Sequence, residues 1–238
     1  MKQVINKHSV YILALLVAAD LVFIASGILY ECGFANLFDV CNALNLNSYF
    51  SLTRDRGYAE VFQYIKEYWL IILFIFLAIK HNYKIYSGWV FLATYILLDD
   101  ALEIHEKLGV IIAERLNYIY LFNLRPEDYG ELTVFAIVGV GFFLWISLNY
   151  RWGNSQERKI FRHLIGILFG LALFGIAIDT IHVFLDQYVF WKSTLAVVED
   201  GGEHIVMSIL VCYVFSVVTN TPQKNLAIDK KEAVYHRN

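Results

Sequence analysis

The sequence predicts an all-α integral membrane protein, a bundle of six transmembrane helices with both termini cytoplasmic. Three observations carry that expectation. The chain is 58% hydrophobic and only 17% charged, with mean hydropathy +0.53, which is too apolar for a domain that folds in water. Six runs approach the length of about 20 residues that a helix needs to cross a bilayer core. Basic residues then alternate sides along the chain, as cytoplasmic connections require.

The first run, 10–29, carries Asp20 and lacks a small-x-small cleavage site, so it reads as a span and not as a signal peptide. The second, 64–79, is the weakest, because Lys66 and Glu67 interrupt its outer end. The third covers 85–106, the fourth 132–148, the fifth 164–185 and the sixth 194–218. Residues 1–238 form one helical domain on this reading, with outward connections at 30–63 and 107–131. Ser51, Thr53 or Asp55 is placed to cap the second span, and KLGVIIAERL suits an interfacial helix or an extension of the third.

Lys2, Lys7, Lys80, Lys84, Arg151, Arg158, Lys159, Arg162 and the basic tail all fall on one side of such a bundle. That places the chain in a membrane of bacterial inner-membrane type, with the other face toward the periplasm or exterior. Cys32 and Cys41 share the first outward connection. They form either a disulfide suited to an oxidising compartment or two separate thiols. Nothing basic and aromatic enough for nucleic acid is present. The partners expected are the lipid bilayer, a lipid-like substrate or other membrane subunits.

The functional signal is LLDDALEIHEKLG, at the outer end of the third span. At ~1.5 Å per residue, Asp99 stands about 20 Å above Tyr86. Glu131 opens the fourth span at the same level, Asp179, His182 and Asp186 close the fifth, and Glu199, Asp200, Glu203 and His204 open the sixth. The inner halves of these spans are nearly free of charge. At about 100° per residue, Asp99, Glu103 and Glu106 share one arc of a continuous third helix, with Asp100 flanking and His105 turned away. Asp179, His182 and Asp186 share another arc, and Glu199 and Glu203 a third.

Carboxylates at such depth cannot face lipid, and they cannot remain ionised together without compensating positive charge. A divalent metal compensates them. Glu103, Glu106, Asp179, His182, Glu199 and Glu203 are the expected ligands. Asp99, Asp100, His105, Glu131, Asp186, Asp200 and His204 are further ligands or their supports, with Asp186 placed to orient His182. Oxygen-rich donors with few imidazoles suit Fe, Mn, Ca or Mg, and mixed donors keep Zn in play. Pairs spaced i, i+3 share the logic of di-metal carboxylate bundles, but the chain has one Asp-x-x-His and no Glu-x-x-His. Seven scattered histidines exclude histidine-box desaturases, and the sixth span has no lysine to carry retinal. Three readings stand: a metalloenzyme acting on a lipid-like or quinone-like substrate, a cation- or proton-coupled carrier or channel, and an accessory subunit held by a polar network.

Overall fold

Each apolar run becomes helix in the computed structural model, which describes residues 6–34, 46–80, 83–121, 124–185 and 189–220. The order is α1 (Lys7–Phe34), a 3-10 turn (Ser48–Phe50), α2 (Tyr58–Lys80), α3 (Tyr83–Leu102) and α4 (Ile104–Leu116). There follow α5 (Pro126–Trp152), α6 (Ser155–Ala172), a π-helical turn (Leu173–Ile178), α7 (Asp179–Leu185) and α8 (Val189–Asn220). Among the described residues there is no strand, only an isolated bridge between Leu121 and Leu124. The stretch from α6 through α7 reads as one span, so six helices are long and apolar enough to cross a membrane. Their outward faces carry large apolar side chains such as Leu15, Val22, Ile79 and Ile137, each more than half exposed, as lipid contact requires.

Local chemistry sets the helix starts. Asn154 Oδ1 accepts the Gln156 and Glu157 N–H groups, both at 2.9 Å, while Glu157 reaches back to the Asn154 N–H at 2.7 Å. Pro126 occupies the first turn of α5, and Asp128 accepts both the Arg125 N–H (2.6 Å) and its guanidinium (2.8 Å). At α2 the expected caps are not used. Glu60 accepts the Arg56 N–H, and Ser51 bonds Glu31 and Thr53, each at 3.2 Å.

One end of the bundle is a tightly packed apolar core. Phe74 stacks on Trp89 at 5.8 Å between ring centroids, and Phe161 meets Trp89 edge-on at 5.5 Å. Leu77, Tyr86, Leu164 and Val214 are buried around them. Beyond this core, Asn6 bonds Thr219 (3.0 Å) and Lys80 bonds the Val218 carbonyl (3.1 Å), which gathers the start of α1 with the ends of α2 and α8.

The third span departs from the expected 85–106. It stops at Leu102, because Glu103 adopts a left-handed conformation (φ 54°, ψ 47°). That conformation costs a non-glycine residue about 1–2 kcal/mol. Side chains offset the cost by satisfying the broken ends: Asp99 Oδ1 accepts the His105 N–H at 2.8 Å, and Lys107 Nζ donates to the Leu102 carbonyl at 2.6 Å. The chain then turns into α4, which lies against α5. Their backbones nearly touch, since a Cβ on Gly130 would collide with the Gly109 carbonyl oxygen. Only glycine fits this crossing.

Candidate functional site

Opposite the apolar core, the helices enclose a cavity of about 910 Å³. Its polar end gathers Asp99 and Asp100 from α3, His105 and Glu106 from α4, and Glu131 from α5. Asp179 and His182 of α7 and Glu199, Asp200 and Glu203 of α8 complete it. Its other arm is apolar, lined by Phe135, Phe142, Ile146, Leu168 and Met207 among others. Because α5 makes almost no contact with α6, this arm opens sideways between them. Phe143 and Phe169 border the gap at 58% and 67% exposure, facing the space lipid chains would fill.

The tightest donor set is Asp179, His182 and Glu199, whose ligating atoms lie within 4.8 Å of one another. His182 Nδ1 is 2.8 Å from Glu199 Oε2, so Glu199 is the histidine's observed partner. Asp186, expected in that role, lies outside the described residues, as does Cys41, the expected partner of Cys32. The π turn immediately before Asp179 resets the helical phase of α7, a device frequent at functional sites. Glycine makes room for it. A Cβ on Gly175 would meet Glu203 Oε1, and one on Gly202 would meet the Phe174 ring, so α8 and the π turn interlock. Gly201 packs under Ile24.

The left-handed Glu103 exchanges the parts assigned to its neighbours. Glu103, an expected ligand, turns out of the cavity and pairs with Arg56 at 3.4 Å and Lys107 at 3.3 Å. His105, expected to point away, lines the cavity. Its Nδ1 is 3.0 Å from Asp99 Oδ2, and its ring lies over Phe135 at 4.7 Å. Burial alone would disfavour the imidazolium, but the hydrogen bond and charge of Asp99 outweigh it and raise the His105 pKa.

His204 also leaves the expected group. It belongs to a separate buried cluster, in which Lys66 Nζ reaches Asp20 Oδ1 (2.9 Å), the His204 carbonyl (2.8 Å) and His204 Nδ1 (3.1 Å). The Ser208 hydroxyl donates to the other Asp20 oxygen. Asp20, Lys66 and Ser208 are wholly buried. Lys66, read as an interruption of the second span, is thus the positive partner of the charge in the first.

The next residue, Glu67, faces the cavity together with Gln63, one turn away on the same face of α2. Both belong to the acidic region, and neither was singled out as a ligand. The i, i+4 pairing of two polar residues inside an apolar run was the available signal.

Fold and site together define a multi-pass α-helical bundle suited to a bilayer, with a carboxylate–histidine cluster inside it. Within that class, the chain belongs to the family described as Domain of unknown function (DUF8692), whose model matches residues 9–218. No curated protein and no solved structure matches the chain.

Proposed function

We propose that this protein is a metal-dependent membrane enzyme whose substrate is lipid-like or quinone-like. One observation carries the reading: the Asp179–His182–Glu199 donor set lies in a cavity whose apolar arm opens sideways between α5 and α6. Two carboxylates and an imidazole suit Fe, Mn or Zn. Asp200, Glu203 and Glu131 flank the set and supply the further carboxylates a di-metal arrangement uses. Asp179, His182 and Glu199 would hold the ion, which would supply Lewis-acid activation of water or, as redox-active Fe or Mn, electrons to dioxygen. The apolar arm holds the tail, and the aromatic rims of α5 and α6 admit it from the membrane.

The acidic end faces the periplasm or exterior of a bacterial inner membrane in this reading. Support comes from Lys80, Arg151 and Lys159, which belong to the opposite end and obey the positive-inside rule. The packed aromatic floor beneath the cavity favours an enzyme over a carrier or channel, because a conducting path would need polar groups there.

Elemental analysis of the purified full-length protein tests the reading. Stoichiometric metal is expected, lost by roughly an equivalent in His182→Ala. A metal-free protein whose stability is indifferent to both added metal and chelator would overturn it.

A further inference from the structure

Hydrogen-bond donors on the cavity wall are already committed. Among the described residues, each basic side chain that lines it is held by a carboxylate: Arg125 by Asp128 at 2.8 Å, His105 by Asp99 at 3.0 Å and His182 by Glu199 at 2.8 Å. The Tyr95 hydroxyl donates to Asp99 at 3.4 Å, and that of Thr180 to the Ile176 carbonyl at 2.6 Å. Lys66, the residue before Glu67, spends its ammonium on Asp20 and the His204 carbonyl.

Three buried acceptors remain on the wall without a partner. Glu67 is 1% exposed and Gln63 6%, and both line the cavity. Neither carboxylate oxygen of Glu67 nor Oε1 of Gln63 meets a donor. The two residues stand one turn apart on α2, so all three oxygens belong to one face. Acceptors at such burial are costly to fold around unless a donor reaches them, and an ionised carboxylate needs a positive charge as well.

The number and kind of these atoms narrow what meets them. A proton on Glu67, bonded to the Gln63 oxygen, still leaves the other carboxyl oxygen without a donor. A quinone head brings carbonyl acceptors only, and a phosphate head brings acceptors with negative charge. A hydroxyl offers one donor for three oxygens. A primary ammonium has three donors, no acceptor and one positive charge, which matches the wall in both count and sign.

We infer that the substrate is a long-chain primary amine, its ammonium received by Glu67 and Gln63 and its chain lying in the apolar arm. The inference rests on the reading that this cavity admits an amphiphile from the membrane, and within that reading it selects an amine over a quinone or an anionic lipid. The receiving residues come from α2, whereas the Asp179–His182–Glu199 set belongs to α7 and α8.

The test is saturable binding of radiolabelled dodecylamine to metal-stripped, full-length protein in nanodiscs of zwitterionic lipid. Unlabelled dodecanol, dodecyl phosphate and dodecyltrimethylammonium serve as competitors. All three should compete about tenfold or more less well than dodecylamine itself, the last because it keeps the charge but has no N–H. Glu67→Gln, nearly isosteric, should weaken dodecylamine by a similar factor. Gln63→Met should weaken it by about three- to tenfold, and decides the matter alone should the first variant fail to fold. Equal competition by dodecyltrimethylammonium identifies a general attraction of cations to an acidic cavity and overturns the inference. Equal competition by dodecanol, or unchanged affinity in the variants, overturns it while leaving a lipid-like substrate standing. Absence of saturable binding overturns both. Because no metal is present in the assay, its outcome is independent of the elemental analysis that tests the histidine-containing set.

Discussion

Two buried polar clusters lie side by side in this bundle, and they are built on opposite terms. Around Lys66, charges balance and donors meet acceptors: an ammonium faces a carboxylate, a carbonyl and a ring nitrogen, and a serine fills the remaining carboxylate oxygen. A few ångströms along α2, Glu67 opens a region in which carboxyls face carboxyls and donors are scarce. The first cluster is complete as it stands, which is how a polar staple between helices should look. The second leaves both Glu67 carboxylate oxygens and the Gln63 Oε1 without a donor. The two clusters thus differ in how far their polar atoms are satisfied, not in depth.

That contrast can be broken directly. Lys66→Ala leaves Asp20 buried and uncompensated, and should cost about 3–5 kcal/mol in chemical unfolding, the largest effect anticipated for any single change here. The double variant Asp20→Asn with Lys66→Met should recover most of that loss. If it does not, the pair has a role beyond its own neutralisation.

A smaller effect sharpens the acidic side. Gly130→Ala drives a methyl into the Gly109 carbonyl, and should cost about 1–3 kcal/mol while loosening the helix that carries His105 and Glu106. Mn²⁺ binding measured alongside unfolding would separate a loosened site from a lost fold.

The smallest change has the opposite sign. In chelator, Asp179→Asn removes one of several crowded carboxylates and should stabilise the protein by about 0.5–2 kcal/mol, at the expense of ion binding. Destabilisation in chelator would place Asp179 with Asp20, among the groups that hold the helices together.

The spans and the level of the charges were readable because length and hydropathy are local properties, and a run such as 132–148 announces itself. What lay hidden depends on partners distant in sequence. No glycine or proline marks the break at Glu103. It is held by Asp99, by Lys107 and by a glycine crossing to α5, and a helical projection through it assigned Glu103 and His105 to each other's places. His204 was drawn away by Lys66, which nothing near either residue announces. Glu67 was placed no closer than the border of the site, and Gln63, uncharged, fell just outside the expected second span, although both line the cavity. The π turn before Asp179 has Gly175 as its only local trace.

The pairing of Lys66 with Asp20 also constrains how the protein is made. A lysine near the middle of a helix resists transfer from the translocation machinery into lipid, and so does an aspartate. As a pair they form a far less polar unit, so the first two helices should leave the translocation channel together, not one after the other. His204 and Ser208 then arrive with α8, after the five preceding spans have been synthesised. Until that moment the ammonium lacks its carbonyl and the carboxylate its hydroxyl. α8 is therefore what locks the first two, and biogenesis intermediates truncated before it should be the ones that quality-control proteases recognise.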